Sequence, residues 1–136
     1  GQIAFPGGGV ELGEDPWQAA LRETEEELGL SAKPLLRLGQ LDELDSSTGF
    51  RIVPCGAAVP WPAKFKPSEA EIAEVFSVPL QALAQPQLVE EREVLVEGHR
   101  RRLRVYHVGR HQVWGLTARV LQNLLVRLGL GFAGEE

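Results

Sequence analysis

From Arg22 to Leu30 the chain reads Arg-Glu-Thr-Glu-Glu-Glu-Leu-Gly-Leu, with four glutamates in five positions. Just upstream, Asp15-Pro16 is a helix start, with Asp as N-cap and Pro at the first helical position. Gly29 is placed to end the helix as its C′ residue. The spacing predicts a helix from Pro16 to about Leu28. Like charges four residues apart repel on such a helix, so Glu23 and Glu27 stand together at a cost. Either the face is a solvated acidic surface, or the carboxylates form a cage for a divalent cation.

At about 100° per residue, Trp17, Ala20, Leu21, Thr24 and Leu28 form one stripe, expected to be the buried face. Glu23, Glu26 and Glu27 share an arc on a different side, and Glu25 falls away from them. Arg22 flanks Glu26, where it can orient that carboxylate or meet a substrate phosphate. Three carboxylates on one turn are the hard oxygen ligands that Mg²⁺ or Mn²⁺ prefers. Such a metal would acidify a water, and a nearby glutamate would take the proton. On composition alone the solvated face is the more common explanation.

Charge supports the cage. The chain carries a formal −5, yet residues 11–30 hold seven acids against Arg22 alone. A concentrated acidic site on a near-neutral body argues against nucleic-acid binding, which wants a basic surface. A captured metal could carry a phosphate-rich anion that the bare acids would repel. No apolar run approaches the ~18 residues of a membrane span. The opening residues have no basic n-region and are not read as a signal peptide. Cys55 is the only cysteine, which excludes an internal disulfide and fits a reducing cytoplasm. The 136 residues are read as one domain, 1–136.

Elsewhere the patterning predicts a short strand at Gln2 to Pro6 before the Gly7-Gly8-Gly9 turn. It predicts paired strands at Leu35 to Leu44 and Phe50 to Val59, a strand at Val75 to Val78, and a helical turn at Pro79 to Ala84. A hairpin is expected from Glu93 to Val96 and Leu103 to Val108. An amphipathic helix from Leu116 to Leu128 would bury Leu116, Val120, Leu121, Leu124, Leu125 and Leu128. This order suggests an α/β fold with helices on the faces of a mixed sheet.

The spacing around the glutamates carries more. Gly8, five residues, Glu14, seven residues, then Arg22-Glu23-Thr24-Glu25-Glu26-Glu27-Leu28-Gly29-Leu30 resembles the Nudix box, here spanning 8–30. Eight of its nine defined positions match, a coincidence on the order of once in 10⁹ starting points at average residue usage. The departure is Thr24, where the family prefers Ile, Leu or Val. Its hydroxyl can bond back to the Ala20 carbonyl. The resemblance implies a Nudix-type α/β/α sandwich with a mixed β-sheet, lacking one or more N-terminal strands here. It also implies Mg²⁺ or Mn²⁺ on the carboxylates of Glu23, Glu26 and Glu27. Arg22 would hold a glutamate in place, Glu14 would support the loop, and Gly8 and Gly29 would permit the turns. The implied reaction is hydrolysis of a nucleoside diphosphate linked to another group.

Gly1-Gln2-Ile3-Ala4-Phe5-Pro6-Gly7-Gly8 looks like the end of the signature of the coenzyme A pyrophosphatase branch. Trp114-Gly115-Leu116-Thr117-Ala118 and the segment from Glu71 to Leu80 are similar to further pieces of that branch. They imply coenzyme A or its derivatives as substrate, cut to 3′,5′-ADP and 4′-phosphopantetheine. The alternatives are the same chemistry on ADP-ribose or another nucleoside diphosphate derivative, and a non-catalytic module that binds a nucleotide or a partner. Glu71 and Glu74 are candidate accessory acids. Phe5, Arg100 and Arg102 are candidate substrate contacts, although arginines in a hairpin more often guard a sheet edge. The three histidines lack zinc-site spacing. For Trp61 and Trp114, core packing is preferred over stacking on adenine.

Overall fold

The computed structural model describes residues 2–130, and the glycine that opens the branch signature, Gly1, lies outside them. Helix α1 occupies Pro16–Leu28, the span the sequence predicts. The Asp15 carboxylate accepts the Gln18 N–H at 2.8 Å, and the Gln18 side chain accepts the Asp15 N–H at 2.9 Å. This reciprocal capping box satisfies two donors at the helix start. At the other end Gly29 takes a left-handed conformation with φ 72° and donates to the Glu25 carbonyl. The last carbonyls of the helix also find partners. The Lys66 N–H donates to Leu28 O at 2.7 Å and the Ser68 N–H to Glu27 O at 2.8 Å. The segment 66–68 therefore completes the helix end that would otherwise need water.

The chain divides into two compact units, Phe5–Phe76 and residues 2–4 with 77–130. In the first, α1 is followed by four short strands: β1 (Leu36–Gln40), β2 (Leu44–Asp45), β3 (Arg51–Ile52) and β4 (Cys55–Ala58). β1 pairs antiparallel with β4, and β2 with β3 across the turn at 46–50. The predicted long strands are thus paired but broken. Pro54 interrupts one, and the register slips between Arg37 and Gly39 on the other.

In the second unit, β5 (Val89–Val96) and β6 (His99–Val108) form a hairpin longer than predicted. Its two-residue turn is Glu97-Gly98, with φ 50° and 79°. Positive φ at both positions matches the right-handed twist of the flanking strands. β7 (His111–Val113) adds to the other edge of β6. Helix α3 (Gly115–Arg127) covers this sheet, while α2 (Leu80–Leu83) is one short turn. The core joins Leu83, Tyr106, Val113, Ala118, Leu121 and Leu125.

The secondary structure is α/β, as expected, but several local expectations change. Every ladder among the described residues is antiparallel and lies in one of three small sheets, not in one mixed sheet. Each ladder joins strands that lie close in the sequence, whereas a parallel pair needs a crossover of a dozen or more residues. Residues 2–6 and 75–78 form no strand. Ile3 is held instead by its carbonyl, which accepts the Thr117 hydroxyl at 2.9 Å, and Val78 packs on the core. On α3 the buried face is Ala118, Leu121 and Leu125, and Leu128 is exposed. On α1 the one fully buried residue is Ala19, on the glutamate side and not on the predicted stripe. The loop 7–14 is hydrogen-bonded to Arg22 and Glu27 of the helix.

Gly29 tests this account of the helix end. A Cβ there would stand 2.5 Å from Lys66 Cβ on a backbone with positive φ. Gly29→Ala should lower unfolding stability by about 1–3 kcal/mol in urea titration. Gly49→Ala, with φ 90° and open space around it, should cost less.

Candidate active site

Helix α1 carries the acids, and the glycine-rich loop before it lies along the same side. Arg22 joins the two. Its Nε and Nη2 donate to the two oxygens of Glu14 at 2.8 and 3.1 Å, a bidentate pair. Nη2 also donates to the Gly9 carbonyl at 3.0 Å. Nη1 donates to Glu23 Oε1 at 3.0 Å and reaches both oxygens of Glu26 at 3.4 Å. Glu14 in turn accepts the Glu11 N–H at 2.8 Å. One guanidinium thus fixes the loop, its supporting carboxylate and two of the helix acids. Arg22 and then the Glu11 N–H hold the Glu14 carboxyl below the usual carboxylate range. Glu14, followed by Glu23, makes Arg22 still harder to deprotonate.

The three candidate metal ligands are each engaged differently. Glu23 lies against the loop. A Cβ added at Gly8 would sit 2.5 Å from the Glu23 carboxyl carbon, so only glycine leaves room for that carboxylate. Glu27 accepts the Gly7 N–H at 3.0 Å through Oε2. Glu26 is the most open, with 58% of its side chain exposed. Burial raises the Glu27 pKa against the Gly7 hydrogen bond, and the charges of Glu23, Glu71 and Glu26 raise it further. Among the described residues no three acidic, imidazole or thiol groups stand in a ready metal-ligating array. The donor chemistry nonetheless fits a hard divalent cation: carboxylate oxygens, several negative charges in mutual range, and no soft ligand among them.

The other candidates fall in different places. Glu71 is exposed and close enough for its charge to act on Glu27, and Glu74 is exposed. Phe5 is 51% exposed. Arg100 and Arg102 belong to the second unit, on the β5–β6 hairpin. Arg102 stands opposite Glu93 and Arg100 opposite Leu95, while Arg104 pairs with Glu91 at 2.7 Å. His107 contacts Glu90 at 2.7 Å, and Arg92 with His107 pulls the Glu90 carboxyl down to about 2. Trp61 and Trp114 are exposed and do not pack in a core. Thr24 behaves as read, its hydroxyl donating to Ala20 O at 2.7 Å.

Sequence reasoning missed the main-chain partners. The Gly7 N–H, the Gly9 carbonyl and the Glu11 N–H carry no side-chain signature. The run of three glycines was the available hint, because it lets backbone approach carboxylates closely.

The Arg22–Glu14 pair has a pH signature. The unfolded carboxyl titrates near 4.5 and the folded one lower. The pair therefore stabilises the fold fully above about pH 4.5, and this is lost as pH falls through the folded value. Urea titrations from pH 3 to 8 should show Arg22→Ala less stable than the parent at neutral pH. The gap should close on acidification. A gap independent of pH would contradict the pair's role.

Comparison with known proteins agrees with this arrangement. The family model described as the NUDIX domain matches residues 1–98. The chain is 32% identical over 131 residues to the uncharacterized Nudix hydrolase NudL of Enterobacter sp. (strain 638), covering 96% of this chain and 68% of the relative. It is 33% identical, with the same coverage, to the proteins of that name from Salmonella paratyphi B and Salmonella newport. With the box glutamates, Arg22 and the glycine loop in one folded unit, the chain belongs to the Nudix hydrolase family.

Proposed function

We propose that this protein hydrolyses the pyrophosphate bond of coenzyme A or its derivatives, with Mg²⁺ or Mn²⁺, giving 3′,5′-ADP and 4′-phosphopantetheine. The observation that carries the hydrolytic part is the Arg22 junction. It fastens the glycine loop to α1 so that Glu23 and Glu27 lie against backbone while Glu26 remains open. Coenzyme A as substrate is supported by the segments at 1–8, 71–80 and 114–118. The lone cysteine, Cys55, is in keeping with action in the cytoplasm. Among the described residues no helix is long and apolar enough to cross a membrane.

When bound by Glu23, Glu26 and Glu27, a divalent cation would supply neutralisation of diphosphate charge and acidification of water. The chain's own residues do the rest. Arg22 keeps Glu23 oriented, and Gly8 gives that carboxylate space. Glu27 Oε2 is committed to the Gly7 N–H, which leaves Oε1 as the oxygen that would reach the cation. A pure binding module would have no need to keep these mutually repelling carboxylates on one turn.

Glu27→Gln should retain the Gly7 hydrogen bond and lower kcat at least about 100-fold. The sign of the stability effect is opposite. Because the folded pKa of Glu27 is raised, its ionised form destabilises the fold as pH rises through that value. The metal-free Glu27→Gln protein should therefore melt at a higher temperature than the parent at neutral pH. Unchanged turnover would remove Glu27 from the site.

Incubation with Mg²⁺ and a substrate panel, read by mass spectrometry in ¹⁸O-water, identifies both the bond and the phosphorus attacked. Coenzyme A should yield the two named products, and Mg²⁺ or Mn²⁺ should raise the melting temperature of the parent chain. Intact coenzyme A beside cleaved ADP-ribose would replace the substrate. A melting temperature unmoved by either ion would count against the metal site.

A further inference from the structure

The second unit contains a cavity that the box chemistry does not use. It measures about 200 Å³ and is lined chiefly by Gln2, Ile3, Ala4, Gln112, Trp114 and Leu116. β7 sends Val113 into the core, where it is 3% exposed, so the next side chain in an extended backbone points the other way. That side chain is Trp114, 47% exposed and extended at φ −143°. Gly115 then turns the chain into α3 with φ 66°. The far wall is fixed by the hydrogen bond from the Thr117 hydroxyl to the Ile3 carbonyl, so the cavity is formed in the absence of a ligand.

Three properties of the lining define its occupant. The indole of Trp114 offers a flat aromatic face, and Ile3, Ala4 and Leu116 offer apolar surface. Gln2 and Gln112 are among the lining residues, and a glutamine amide carries both a donor and an acceptor, the pairing that reads the edge of adenine. The volume is below the ~300–1,000 Å³ of sites that enclose a complete small ligand. It therefore suits one ring system whose substituents stay outside.

We propose that the cavity between Trp114, Gln112 and Gln2 is a purine subsite, in which an adenine base stacks on the Trp114 indole and is read by the two amides. The proposal rests on the reading of this protein as a hydrolase of adenine-containing diphosphates. Trp114 is on this account the residue that recognises the base.

Adenosine 5′-monophosphate tests it, because it carries the base but no anhydride to cleave and can be titrated without metal. Calorimetry should show the full chain binding this nucleotide and not ribose 5-phosphate. Trp114→Ala should weaken the affinity about tenfold or more, and Gln112→Ala by a smaller factor. In a Trp17→Phe/Trp61→Phe background Trp114 is the only tryptophan, and its emission should be quenched by the nucleotide. That readout decides the matter if Trp114→Ala does not fold. Equal binding of the nucleotide and ribose 5-phosphate would overturn the subsite. So would no binding, or unquenched Trp114 emission. The hydrolase reading fails separately, if no diphosphate substrate is turned over with Mg²⁺ while nucleotide binding persists.

Discussion

The five-way contact of Arg22 is the constraint on which the site depends. A single guanidinium meets Glu14, Glu23, Glu26 and the Gly9 carbonyl, with Glu11 at 3.6 Å. Arginine suits this because its planar fork donates in several fixed directions and stays charged. Lysine would offer a point charge and lose the bidentate hold on Glu14. The contact also explains how an acidic turn persists in a folded protein. One cation is shared among acids that would otherwise repel, and the loop is fastened as a consequence.

That sharing is incomplete at Glu27. Its carboxylate has one backbone donor, the Gly7 N–H, and faces the charges of Glu23, Glu71 and Glu26. The fold thus keeps an unfavourable negative charge at one of the acids proposed to hold the cation. Such sites trade stability for function: the group that destabilises the unliganded protein is the one a cation would favour. Gly8 belongs to the same design. It contributes no contact of its own, but a larger residue would displace Glu23.

Local rules read best where they act within a few residues. Helix α1 begins and ends where Asp15-Pro16 and Gly29 say it does, because caps are set by adjacent backbone. The β5–β6 hairpin was legible, but its turn was read as Glu97 to Arg100, whereas His99 already pairs with Val96. The Gln18 half of the capping box went unread, although its position three residues after Asp15 was a visible cue. Burial read only in part. The apolar stripe of α1 is half-buried as a face, yet the one fully buried residue, Ala19, lies outside it. Periodicity reports which face is apolar, not how deeply tertiary packing buries each residue. The same limit applies to Trp61 and Trp114, whose size suggested a core and whose side chains are exposed.

The sequence by itself determined the family, the helix and the identity of the acids. Each of these is written in residue type and spacing, and both follow from fixed helical geometry. Tertiary structure decided how those acids are held. Hydrogen bonds from Gly7 and Glu11 and to Gly9 involve backbone atoms that every residue possesses, so no pattern of side chains announces them. It also decided that residues 2–4 and the start of α3 enclose a cavity. Those segments are over a hundred positions apart and are joined by the bond between Thr117 and Ile3. Closing such a distance is the work of the whole unit's packing, which spacing along the chain does not encode.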